Sequence, residues 1–113
     1  QLLLFLIIYL IFLHNLKIVY AQRSDLQSVT PFIKGLYNLE ELDLSYTDIT
    51  TLPREIKSLT KFKRLNLEGT KISKLPNEIG QLTSLEELNI KKTPIAVLPD
   101  SMLPSDSIGL AGG

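Results

Sequence analysis

The run Leu39-Glu40-Glu41-Leu42-Asp43-Leu44-Ser45-Tyr46-Thr47-Asp48-Ile49-Thr50-Thr51-Leu52-Pro53 decides how this chain is read. Shifted by 23 residues, its framework returns as Phe62, Leu65, Leu67, Thr70, Ile72 and Leu75-Pro76. A second shift of 23 gives Leu85, Leu88, Ile90, Thr93, Ile95 and Leu98-Pro99. Ile56, Ile79 and Met102 continue the series, and Leu59 and Leu82 close the unit LxxLxLxxTxIxxLPxxIxxL. A fixed period of this length marks a stack of supersecondary units, none of which can bury its apolar face alone.

A degenerate copy lies upstream. Leu16, Val19, Ala21, Leu26, Val29, Ile33 and Leu36 are apolar where the register asks for it, and Ser24 takes the Thr position. The Leu-Pro pair has slipped to Val29-Thr30-Pro31. The repeats are therefore expected at 13–35, 36–58, 59–81 and 82–104.

Each part of the unit has a physical reading. Glu41-Leu42-Asp43-Leu44-Ser45 alternates polar and apolar, which makes a short strand with Leu42 and Leu44 inward and the others outward. The Thr47 hydroxyl is suited to bond backbone groups of the turn that follows. Pro53 is expected at the first position of a helical turn, where its missing N–H has no partner to lose. Ile56 and Leu59, three apart, form one apolar stripe on that turn.

These motifs resemble the leucine-rich repeat family. The resemblance implies an α/β repeat solenoid, with short parallel strands on a concave face and short helical turns on a convex one. With Thr at the position where the family usually has Asn, the repeats look most like those of plant intracellular disease-resistance receptors. They are also similar to the short repeats of Ras-pathway scaffold proteins and of bacterial repeat proteins. Asn66-Leu67-Glu68-Gly69-Thr70-Lys71-Ile72 and Ile79-Gly80-Gln81-Leu82 are phrases of the plant-receptor kind. In such proteins the outward strand residues meet a ligand. That implies a protein or peptide partner for Glu41, Asp43, Tyr46, Arg64, Asn66, Glu68, Glu87, Asn89, Lys91 and Lys92. The expected role is a protein–protein interaction module within a signalling or defence receptor; the alternatives are a self-associating structural fragment and an exported repeat protein of bacterial type.

Composition excludes much else. The 113 residues carry 12 Lys+Arg against 12 Asp+Glu, so no basic excess favours nucleic acid. No cysteine is present, which removes disulfide frameworks, thiol catalysis and Cys-ligated zinc. The lone histidine, His14, has no acidic neighbour in sequence and reads as a turn residue. There is no Gly-rich phosphate loop and no HExxH, so neither an enzyme, a cofactor nor a metal is expected. The charges are patterned, however. Units 13–35, 36–58, 59–81 and 82–104 carry +2, −3, +3 and −1. That is either the noise of a solvated surface or a device that disfavours slipped registers by setting like charges apart.

The two ends depart from the repeat. Leu2 to Leu13 is an unbroken apolar run of 12 residues, too short to span a membrane at about 20 residues. It matches a secretory signal core, with Val19-Tyr20-Ala21 as a small-residue cleavage pattern. Residues 1–12 are thus expected to be a truncated signal or membrane anchor, associating with membrane through residues 2–13, or else a cap packed on the first repeat. Export or membrane association follows from the first reading and a cytoplasmic location from the second. No Asn-x-Ser/Thr acceptor occurs, which leans against a glycosylated ectodomain. Residues 105–113 hold three glycines and are expected to be a flexible tail, with flanking repeats of a longer chain beyond.

Overall fold

A computed structural model describes residues 1–29 and 33–102, and the backbone of 109–111. Five three-residue strands form one parallel sheet in chain order: β1 (Ile18–Tyr20), β2 (Glu41–Asp43), β3 (Arg64–Asn66), β4 (Glu87–Asn89) and β5 (Gly109–Ala111). The register of the first four is the sequence period itself. Ile18 faces Glu41, Glu41 faces Arg64 and Arg64 faces Glu87.

The ladder runs past the strands at both ends. Glu40 and Glu41 donate to the Lys17 carbonyl, Lys63 and Arg64 to that of Glu40, and Glu86 and Glu87 to that of Lys63. After the strands, Arg23, Tyr46 and Gly69 donate to the carbonyls of Ser45, Glu68 and Lys91. Every unit thus satisfies its backbone on the next one, which is why a polar backbone can line a dry core.

The core is the repeat register made solid. Leu39, Leu42, Leu44, Ile49, Ile56, Leu59, Phe62, Leu67 and Ile72 are fully buried. Burial fades towards both ends: Leu16, Val19, Ala21 and Leu26, like Ile90, Ile95 and Leu98, are half-buried against this cluster. β1 pairs with β2, and Val29 and Ile33 lie in the same core cluster. The slipped Thr30-Pro31 of unit 13–35 lies outside the described residues.

On the opposite side the chain returns through 3-10 turns at Arg54–Ser58, Asn77–Gln81 and Asp100–Met102. Ile56 and Ile79 point inward from the first two. With three residues per turn, Ile56 and Leu59 fall in line, so a 3-10 turn serves the spacing better than an α-helix. Pro53 and Pro76 sit one place earlier than expected. They are N-cap residues with extended ψ near 150°, and their carbonyls accept from Ile56 and Ile79.

Two further expectations change. Gly109–Ala111 is not a free tail but a strand, paired with β4 at an offset of 22, with Glu87 facing Gly109. The remainder of 103–113 lies outside the description. At the other end, α1 (Leu2–Asn15) extends past residue 12 into the first unit, and His14 lies in its last turn. None of its residues is buried. Exposure of its large apolar side chains from Leu2 to Phe12 ranges from 42 to 83%, so α1 does not cover the first repeat as a cap. Among the described residues its contacts with the stack lie at its end. Leu13 lies against Gly35, the His14 ring packs on Tyr37 at 5.1 Å, and Asn38 donates to the His14 carbonyl. Among the described residues no helix is long and apolar enough to cross a membrane.

Candidate functional site

The surface that the stack presents is built column by column. Leu42, Leu65 and Leu88 turn inward from the strands, so their neighbours turn out. The first column is Ile18, Glu41, Arg64 and Glu87. Arg64 Nε donates to Glu41 Oε2 at 3.3 Å, and Glu41 also receives the Tyr20 hydroxyl. Glu87 stands exposed, with Gly109 of β5 as its next neighbour.

The second column does structural work. Asp43, Asn66 and Asn89 each accept, through Oδ1, the backbone N–H two residues on, at 2.9–3.0 Å. These Asx turns bend the chain out of each strand. Asp43 also takes the Ser45 hydroxyl, which leaves Ser45 buried rather than outward. Three expected contact residues therefore shape the face before they can serve a partner.

The threonine ladder lies beneath. Ser24, Thr47, Thr70 and Thr93 donate their hydroxyls to the carbonyls of Ala21, Leu44, Leu67 and Ile90, three residues back. A hydroxyl so close to the backbone does the turn-closing work that the residue type suggests.

One feature escaped the reading of the sequence. Arg23, Tyr46, Gly69 and Lys92 occupy one column, and all four have positive φ, between 56° and 70°. This left-handed conformation is natural for Gly69 and costs about 1 kcal/mol for each of the others. Only Gly69, aligned by the period with three larger residues, carried the signal. The period of the sequence already sets Arg23 in the outward column of Tyr46 and Lys92, and the structure adds it to the named contact residues beside them.

Around Tyr46 these side chains meet. The ring lies across Gly69, where a Cβ would come within 2.4 Å of its carbons. The Arg23 guanidinium lies over the ring at 4.5 Å and the Lys92 ammonium at 6.0 Å, both within cation–π range. The Tyr46 hydroxyl donates to Glu68 Oε2 at 2.8 Å, and Asn89 Nδ2 donates to Glu68 Oε1 at 3.1 Å. These two bonds hold the Glu68 carboxyl below the usual glutamate range, against the opposing effect of desolvation and with further help from Lys92 and Lys91. A carboxylate stabilised as an anion is a poor proton acceptor. Among the described residues no group of His, Cys, Asp and Glu could hold a metal ion. The arrangement is suited to recognition by hydrogen bonds, stacking and charge.

Of the expected residues, Tyr46, Glu68, Asn89 and Lys92 are joined in one cluster, with Lys91 beside it. Glu41 and Arg64 form a separate pair, and Glu87 joins neither.

Comparison with known proteins agrees with this architecture. The leucine rich repeat family model matches residues 14–72. Among solved structures, a leucine-rich-repeat protein of Leptospira interrogans is similar at 34% identity and a TM-score of 0.70, over 73% of this chain and 21% of that one. An internalin of Listeria monocytogenes is similar in fold at 17% identity and a TM-score of 0.66, over 86% of this chain and 34% of that one. The chain thus spans about a fifth and a third of these two proteins. The comparison with curated proteins gave no match.

Proposed function

The chain belongs to the leucine-rich repeat family, and from that premise we propose that its strand face is a protein-recognition surface, the binding part of a signalling or defence receptor. The single observation that carries this is the column geometry. Outward side chains of four in-register strands and their turns form a continuous face of mixed chemistry, with tyrosine, arginine, amide and acid side by side. Tyr46 and Arg64 are of the types that dominate interface energetics. The receptor context rests on the resemblance of 66–72 and 79–82 to plant receptor repeats.

The test is a comparison of binding partners captured by the wild type and two variants. Tyr46→Ala with Arg64→Ala alters the strand face; Arg54→Ala with Lys57→Ala alters the 3-10 side. A partner lost only with the first pair supports the proposal. A partner retained by the first and lost with the second refutes it.

A second reading concerns α1. An uncharged helix with large apolar side chains exposed on every side asks for a non-aqueous surrounding or removal, and this favours a secretory signal core or anchor. A cut after Ala21 would remove β1, so a cut that spares the stack falls before Ile18. Terminal sequencing and membrane fractionation of the expressed protein decide the matter. An intact N-terminus in the soluble fraction would overturn both forms of this reading.

A further inference from the structure

We infer that the turn-side edge of the strand face, centred on Tyr46, docks an acidic side chain of a peptide or protein partner, gripped between Arg23 and Lys92. The inference deepens, and rests on, the reading of that face as a protein-recognition surface.

The acids of this part of the face are engaged internally. Asp43 is held by its own turn and Ser45, Glu41 is paired with Arg64, and Glu68 is bonded to Tyr46 and Asn89. The cations at the edge are not paired in this way. Arg23, Lys91 and Lys92 are exposed, and none of them forms an ion pair with a carboxylate among the described residues. Hydrogen bonds from neutral groups orient Asp43 and Glu68 without cancelling their charge, and Arg23, Lys91 and Lys92 outnumber them, so this edge is net positive on a chain that is neutral as a whole.

Geometry gathers it. Arg23 and Lys92 come from the first and fourth repeats, three units apart in the stack. Both reach the Tyr46 ring, which lies across the bare surface of Gly69. Lys92 Nζ also approaches the Tyr46 hydroxyl at 3.4 Å. A guanidinium stacked on a ring keeps its N–H edge free, and that edge matches a carboxylate. The backbone adds to the argument. Arg23, Tyr46 and Lys92 each hold a left-handed conformation that glycine would adopt without strain, so the column carries large side chains at a cost to stability. Such cost fits a surface used for contact. A long polyanion is a poorer match, because Glu68 interrupts the cationic edge.

The experiment is a selection of random 12-residue peptides displayed on phage against the immobilised chain. Selected peptides are then measured in solution against variants. Arg23→Gln with Lys92→Gln removes the two charges. Arg23→Gly with Lys92→Gly does so while relieving the backbone, which guards against misfolding. Lys34→Gln with Lys57→Gln makes an equal charge change elsewhere. The expected result is enrichment in Glu and Asp, with affinity falling about tenfold or more for both edge pairs and little for the control pair. Replacing the acid of a selected peptide by Gln should reproduce that loss. Peptides that lack acidic enrichment, and lose binding with Arg64→Ala and Glu87→Ala instead, would overturn the inference and leave the recognition face standing. Peptides that weaken equally with the control pair would overturn it as unspecific charge attraction. Failure to select any peptide sensitive to a strand-face variant would overturn both readings together.

Discussion

Gly69 is where the cost of a single residue can be read most directly. It is the one glycine in a column of four left-handed residues, and the Tyr46 ring rests where its Cβ would stand. Gly69→Ala therefore combines backbone strain with a steric clash, and a loss of about 2–3 kcal/mol in unfolding free energy is expected. In a Tyr46→Ala background the clash is absent and only the strain remains, so the same change should cost about 1 kcal/mol. Equal costs in both backgrounds, in denaturant titrations, would remove the ring from the account. Glu68 supplies a second test at this scale. Its carboxyl is held low, first by the Tyr46 hydroxyl and then by Asn89. Tyr46→Phe should let it titrate nearer the ordinary glutamate range, followed by the carboxyl carbon resonance. The sign is that of an acid with a depressed folded-state pKa. The stabilising linkage is present above the unfolded value, and it is lost as pH falls through the folded one.

At the scale of elements, short strands and turns draw their stability from what they pack on. The threonine hydroxyls illustrate this, since Thr47 and Thr70 are buried and each closes its turn on a carbonyl three residues back. Thr70→Val keeps the shape and leaves that hydroxyl bond unmade, so a loss of about 1 kcal/mol is expected in thermal or chemical unfolding. A value near zero would show the turn to be closed by its backbone bond alone. The helix α1 behaves differently. With no buried residue it contributes little to the stack, and removing residues 1–12 should leave the melting temperature nearly unchanged while raising solubility. The contrast explains what the sequence made legible. Strands, core and register follow from Leu42, Leu44 and their equivalents, because burial imposes a strict spacing. The left-handed column was hidden, because Arg23, Tyr46 and Lys92 are not types that signal positive φ. The fifth strand was hidden too: Gly109 and Ala111 lack the expected pattern, and the offset to β4 is 22 rather than 23. The role of Asp43, Asn66 and Asn89 in the turns needed the backbone donors, which no spacing of side chains reveals.

For the whole molecule the question is whether charge holds the units in register. Lys63 with Glu40, Arg64 with Glu41, and Lys71 with Asp48 join the unit at −3 to the unit at +3, each across one period, at 3.3–3.7 Å. Arg54 with Glu78 crosses the same boundary in the opposite sense. These pairs are partly exposed, and each is worth less than about 1 kcal/mol. Their arrangement can still matter, because the alternation continues outward. Lys17 precedes Glu40 by one period, and Glu86 and Glu87 follow Lys63 and Arg64 by one period. Glu40→Lys, Glu41→Lys and Asp48→Lys together should cost about 1–3 kcal/mol, since three attractions become repulsions. Adding Lys63→Glu, Arg64→Glu and Lys71→Glu restores the central boundary with its signs exchanged. If the pairs act independently, stability returns fully. If alternation spans the stack, the six-fold variant still falls short by about 1 kcal/mol, because Glu40→Lys now sits beside Lys17, and Lys63→Glu and Arg64→Glu beside Glu86 and Glu87. Denaturant midpoints at low salt separate the two outcomes, and added salt should close the remaining gap through screening.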